Sequence, residues 1–298
     1  MTGERLNQVG LAIVISLISL VLFDLMGLII KHLSPSYRAT ELSAYRNIFG
    51  LIPSLIALWS SPLWHKSGRN IRVRQWPLAC ARGLMVTCAQ LLFYYSLGRL
   101  AFATASTITY ANALFMTALA IPLLGEKVGL MRWSAVLIGF AGIMLIVKPG
   151  HESFNWDAMA PLGAAFLYAL AGVTARMTDE DVPSPLINLY SSIVAAIGAT
   201  ILTLFAGGFS GIANGTDLLW ILAMGGFGGT AVLLMVVSFR MTEQSNIAPF
   251  SYFGIPIAFI LGWIFFEEAP VGDLFPGSIF IAAGGLLVVW RERRRRKA

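Results

Sequence analysis

Long uncharged runs, broken at intervals by charges and by Gly or Pro, dominate the pattern of this chain. LAIVISLISLVLF near the amino terminus and AAIGATILTLFA in the second half are two of them. About 20 such residues form a helix that crosses a hydrocarbon core of about 30 Å. Cutting the pattern at its charges and breakers predicts helices over residues 10–33, 41–59, 76–98, 103–124 and 130–147. A second set is predicted over 156–177, 184–206, 216–240, 246–266 and 272–290. Only GRLAF separates the third helix from the fourth, which demands a tight turn. Most of these helices are apolar all round, whereas helices on the surface of a soluble protein carry one polar face. The expected fold class is an all-α integral membrane protein with ten transmembrane helices.

Composition sharpens this picture. The chain is 57% hydrophobic and 12% charged, about half the charged share of a soluble domain. The first apolar stretch is too long for a signal-peptide core and no small-residue cleavage site follows it, so it reads as helix one. Cys80 and Cys88 lie eight residues apart in one predicted helix, a spacing that suits neither a disulfide framework nor a metal site. They are expected to be lipid-facing or packing thiols. The net charge of +6 includes six cations in the terminal RERRRRKA. That tail reads as a topology signal, and no nucleic-acid partner is expected.

Cytoplasmic loops are enriched in Lys and Arg. With the amino terminus inside, the cytoplasmic segments hold Arg5, Lys66, Arg69, Arg72, Arg74, Lys127, Arg132, Arg176, Arg240 and the tail cations, fifteen in all. The opposite side keeps Lys31, Arg38, Arg99 and Lys148. Both termini are therefore expected in the cytoplasm of a cell (inner) membrane, which requires an even number of helices.

The chain also resembles itself. An offset of 142 residues superposes Ser96 on Ser238, Tyr110 on Tyr252 and Glu126 on Glu268. An offset of 145 brings Gly27 to Gly172, Lys31 to Arg176 and Tyr45 to Tyr190. This divides the chain into residues 1–150 and 151–298. Five helices per repeat is an odd number, so the second repeat must insert upside down, as in alternating-access carriers.

The stretch FYYSLGRLAFATASTITYANALFMTALAIPLLGEKVGLMRWSAVLIGFAGIMLIV resembles the signature of the EamA family of the drug/metabolite transporter superfamily. Its marks are a small-residue fourth helix with a Pro near its end, the Gly-Glu-Lys turn at 125–127 and a Gly-rich fifth helix. SNIAPFSYFGIPIAFILGWIFFEEAPVGDLFPGSIFIAAGGLLVV is the degenerate partner, in which Glu268 is followed by Ala269 where the first repeat has a Lys. The resemblance implies a ten-helix carrier whose helices five and ten stay peripheral while the others surround a central cavity. More narrowly, it is similar to the YddG-type exporters of aromatic amino acids.

An ionisable residue in the middle of a membrane helix is costly and marks function by default. Asp24, near the centre of helix one, is placed to pair with a substrate amine, carry a coupling proton or bind a structural cation. Arg46 and Arg82 lie a few residues inside their helices, where a long side chain snorkels to the interface or receives a carboxylate. Lys31 lies at a helix boundary. Gln90 and Tyr94 share a helix face, as do Ser106 and Tyr110. Tyr168 at mid-helix and Ser251 and Tyr252 in helix nine extend this polar-aromatic set. Asn112 lies two residues from Tyr110, so the two are not expected to face one cavity together.

The expected substrate-binding set is Asp24, Arg46, Gln90, Tyr94, Ser106, Tyr110, Tyr168, Ser251 and Tyr252. No catalytic constellation, metal-ligand spacing or Walker motif is present, so neither enzyme activity nor a cofactor or metal is expected. The expected partners are a small-molecule substrate and membrane lipid, and a monomer is compatible with every feature read here. The expected function is a secondary transporter exporting amino acids, aromatic or large neutral, or related metabolites by alternating access. The alternatives are a carrier of drugs, organic cations or nucleotide sugars, and a membrane-embedded lipid-modifying enzyme.

Overall fold

The computed structural model describes residues 2–66, 68–69, 71–125, 130–147, 155–175, 177, 182–242, 247, 250, 253–268 and 271–283. These residues form helices α1 (Thr2–Leu33), α2 (Ala39–Trp59), α3 (Pro62–Lys66), α4 (Trp76–Leu97), α5 (Phe102–Tyr110), α6 (Asn112–Leu124) and α7 (Leu130–Val147). A 3₁₀ turn at Trp156–Ala158 leads into α8 (Met159–Ala175), followed by α9 (Ser184–Phe205), α10 (Gly215–Met241), α11 (Gly254–Phe266) and α12 (Val271–Leu274). No strand occurs among the described residues. Among the described residues, five helical spans are long and apolar enough to cross a membrane: Gln8–Leu33, Trp76–Leu97, Trp156–Ala175, Ser184–Phe205 and Gly215–Met241.

Local chemistry sets the helix ends. Pro residues occupy the first turn of α4 and of α9, where the missing N–H has no intrahelical partner to lose. The Asn214 side chain accepts the Asp217 N–H at 2.8 Å, and Asp217 adds negative charge to the first turn of α10. The turn between α4 and α5 is tight, with Leu100 N–H donating to the Ser96 carbonyl at 2.8 Å.

Two expected helices are interrupted. The run 103–124 divides at Ala111, whose N–H reaches the Ile108 carbonyl while Leu114 N–H reaches Ala111 itself, both i→i+3 bonds. Such a short 3₁₀ stretch rotates the following helix relative to the preceding one. The run from 272 breaks at Phe275–Pro276 and becomes helical again over 277–283, because Pro cannot supply the next helical N–H.

The helices pack as a bundle in which α1 lies on α10, α2 on α9 and α10, α4 on α8 and α9, and α6 on α8. Leu11, Val14, Ile18 and Val21 line one face of α1 and stay exposed, an apolar outer face suited to hydrocarbon. Inside, hydroxyls and amides stitch helices together. Ser19 donates to the Ala231 carbonyl at 2.7 Å and Ser238 to the Ala12 carbonyl at 2.9 Å, joining α1 to α10. Asn188 donates to Ser54 at 2.8 Å, joining α9 to α2. The backbones of α2 and α10 approach closely, where a Cβ on Gly229 would stand 2.4 Å from the Gly50 carbonyl oxygen. Cys80 is half-buried and Cys88 exposed, both as free thiols.

Candidate functional site

A cavity of about 200 Å³ lies among α1, α2, α4, α5, α6, α8 and α10. The lining positions on α4 are Arg82, Val86, Gln90 and Phe93, and those on α10 are Val232, Met235, Val236 and Phe239. Both sets repeat every three or four residues, which puts each on one helix face. On α8 and α10 the lining positions lie toward the helix ends at Ala175 and Met241. Toward the other end, α1 is buried continuously from Met26 to Ile30. There Leu28, Ile29, Ile30, Tyr94, Leu97 and Phe102 belong to one dense core cluster.

Polar groups interrupt the apolar walls at a few places. Asp24 is buried in α1, and its Oδ1 accepts the Tyr110 hydroxyl at 2.6 Å. Its Oδ2 has no partner among the described residues. Arg46 extends from α2, donating from Nη1 to Asn47 Oδ1 at 2.9 Å and from Nη2 to the Gly228 carbonyl at 2.7 Å. Arg82 donates from Nε to the Ala171 carbonyl at 2.9 Å and lies 3.5 Å from Ser191 Oγ. Gln90 is fixed through its Oε1, which accepts Asn47 Nδ2 at 2.7 Å and Ser43 Oγ at 3.3 Å. Ser106 Oγ has no partner among the described residues, and Tyr168 completes the aromatic part of the wall.

Asp24, Arg46, Gln90, Ser106, Tyr110 and Tyr168 thus come together around one space. Tyr94 is fully buried in the neighbouring core, with its hydroxyl 3.9 Å from Met26 Sδ. Ser251 and Tyr252 lie outside the described residues.

Two expectations change. Arg46 and Arg82 do not snorkel: they are 2% and 5% exposed and hold backbone carbonyls inside the bundle. Tyr110 and Asn112 both border the cavity, because the break at Ala111 removes the continuous-helix geometry that would have set them apart. The i, i+4, i+8 spacing of Arg82, Val86 and Gln90 is the sequence signal that would have placed Arg82 on this face.

Beyond the cavity, Lys31 Nζ forms an ion pair with Glu268 Oε1 at 2.8 Å and donates to the Leu100 carbonyl at 2.8 Å. The other Glu268 oxygen accepts the Phe102 N–H at the start of α5, also at 2.8 Å. Among the described residues, no group of three or more His, Cys, Asp and Glu forms a metal site.

Residues 10–148 and 155–290 match the EamA-like transporter family. The chain is 25% identical over 281 residues to an S-adenosylmethionine uptake transporter of Rickettsia felis, covering 93% of this chain and 92% of that one. It is 27% identical over 175 residues to a riboflavin transporter of Rhizobium johnstonii. That match covers 58% of this chain and spans little more than half, 57%, of the relative. Solute carrier family 35 member G1 of Homo sapiens is 24% identical over 292 residues, covering 93% of this chain and 78% of that one. A solved crystal structure superposes with a TM-score of 0.70 at 17% identity, covering 96% of this chain and 99% of that one, a likeness of fold.

Proposed function

The chain belongs to the EamA-like transporter family, a multi-pass membrane transporter of small molecules, and from that premise we propose that it is a secondary carrier for amino acids or similar amphiphilic metabolites. The observation that carries this reading is the cavity itself, which sets a buried carboxylate and two buried guanidiniums among apolar and aromatic walls. Charge at that depth is expensive unless a cargo or a partner answers it. Asp24, Arg46, Gln90, Ser106, Tyr110 and Tyr168 form the binding set, with Ser251 and Tyr252 as contributors from helix nine and Tyr94 as a support behind the wall.

In this reading ten helices form two inverted halves, residues 1–150 and 151–298, and both termini face the cytoplasm. The cavity then occupies the cytoplasmic half, and the packed end around Phe102 and Lys31 closes the outer side, an inward-facing state. Alternating access rocks the halves about the cavity. The chain carries no ATP-binding motif, so the solute gradient or a coupled ion sets the direction. Amino-acid export rests on the resemblance to YddG-type exporters, since some relatives are named for uptake. Aromatic walls suit flat or bulky bodies.

Counterflow into liposomes holding the purified protein tests the reading, with labelled amino acids and an organic cation as contrast. Uptake of amino acids, competed best by aromatic or large neutral ones, is expected. Uptake of the cation alone would move the assignment to drug efflux.

A further inference from the structure

The charges around the cavity do not balance. Arg46 and Arg82 both border it and are 2% and 5% exposed. Every acceptor they touch is neutral: the Asn47 amide, the Gly228 and Ala171 carbonyls and the Ser191 hydroxyl. Among the described residues, Arg46 Nε has no partner. Among the described residues, no carboxylate stands within ion-pair reach of either guanidinium. An Arg side chain cannot escape by losing its proton. Among the described residues, the remaining charged group in the lining is Asp24, with one oxygen held by Tyr110 and the other without a partner. Among the described residues, two cations and one anion leave the site one positive charge in surplus.

Resting on the reading of this cavity as the transport site, we infer that its cargo is a monoanion: a carboxylate on an apolar or aromatic body, with a neutral donor such as a hydroxyl in place of an ammonium. The carboxylate meets Arg46, whose fork binds it in two places. The hydroxyl donates to Asp24 Oδ2, which accepts without any change of charge. Met26 Sδ and Arg46 Nε both crowd Gly228, within 2.5 and 2.6 Å of where its Cβ would stand. This brings the Arg46 head beside the segment of α1 that carries Asp24. With such a cargo bound, the charges cancel, and the complex crosses an occluded, water-poor state as a neutral unit. A zwitterion leaves the surplus standing, and an organic cation enlarges it.

Matched solutes test this on the unmodified protein. Phenyllactate and phenylalanine share a ring and a carboxylate and differ in hydroxyl against ammonium. In proteoliposome exchange at neutral pH, phenyllactate is expected to compete at about tenfold lower concentration than phenylalanine, the scale of one poorly screened charge. Phenylalanine competing as well or better overturns the inference and leaves the amino-acid carrier standing. Exchange of an organic cation alone, or of no solute, overturns both. Arg46→Gln is expected to abolish the preference for phenyllactate and Arg46→Lys to keep part of it. A preference unchanged in folded Arg46→Gln protein also overturns the inference.

Discussion

Lys31 and Glu268 meet at 2.8 Å where three chain segments converge, the end of α1, the end of α11 and the start of α5. Each partner does more than neutralise the other. Lys31 also holds the Leu100 carbonyl and lies 5.3 Å from the centre of the Phe266 ring. Glu268 also accepts the first N–H of α5, where a carboxylate meets the positive end of the helix.

Breaking this pair leaves a partly buried charge without its partner. Glu268→Gln and Lys31→Met should each lower the thermal stability of detergent-solubilised protein, by about 1–3 kcal/mol. The swap Lys31→Glu with Glu268→Lys should recover only part of the loss. A Lys at 268 cannot accept from Phe102, and a Glu at 31 cannot donate to Leu100. Full recovery in the swap would show that attraction alone matters.

Asp24 separates two kinds of cargo. Asp24→Asn keeps an oxygen that accepts from a hydroxyl but removes the charge that attracts an ammonium. Transport of amine-bearing solutes, which lose the partner of the ammonium as well, should fall well over tenfold, and transport of a hydroxy acid about tenfold, the scale of the one charge it then leaves unanswered. Equal rates and an equal pH dependence in variant and parent would remove Asp24 from both substrate binding and proton coupling.

Much of the bundle was legible in the sequence because lipid enforces a simple rule: a helix must be long and apolar to cross. α1, α4, α9 and α10 begin and end within a few residues of their expected limits, apart from the amino-terminal extension of α1 to Thr2. The break at Ala111 was not legible. No Gly or Pro marks it, and the i→i+3 bonds that make it depend on the packing of α5 and α6. For the cavity, residue type pointed to Asp24, and helical spacing linked Ser106 with Tyr110. Depth along a helix did not reveal that Arg46 and Arg82 turn inward, because that choice rests on carbonyls of α10 and α8 far away in sequence.

Close packing of α2 on α10 yields a paired test. Gly229→Ala places a methyl 2.4 Å from the Gly50 carbonyl oxygen, whereas Gly226 has nothing within 4 Å of its Cβ position. Gly229→Ala should destabilise the protein by about 1–3 kcal/mol, read as a lowered melting temperature. Gly226→Ala on the same helix should be neutral or slightly stabilising, since Ala is the better helix former. If both behave alike, helix propensity and not helix contact governs this face.

Tyr168 borders the cavity at mid-helix, away from the interfaces where aromatic belts form. Tyr168→Ala should raise the half-saturating concentration for an aromatic solute about threefold to tenfold while changing that for a small aliphatic one little. The ratio between the two solutes is the measurement. An equal loss for both would reduce Tyr168 to a packing residue.

The two sequence offsets carry the Lys31–Glu268 pair into the other half of the chain. Lys31 falls on Arg176 and Glu268 falls on Glu126, so the equivalent pair is again one cation with one acid. Both positions lie outside the described residues, and the expectation rests on the repeat alone. In an inverted repeat, what closes one end has a counterpart that closes the other. The two pairs should therefore form in alternation. With Cys introduced at 31 and 268 and oxidised, a second pair at 126 and 176 should fail to cross-link, and the reverse order should give the same exclusion. Transport should stop in either cross-linked form and return on reduction. Simultaneous cross-linking of both pairs in one folded molecule would mean that they do not alternate.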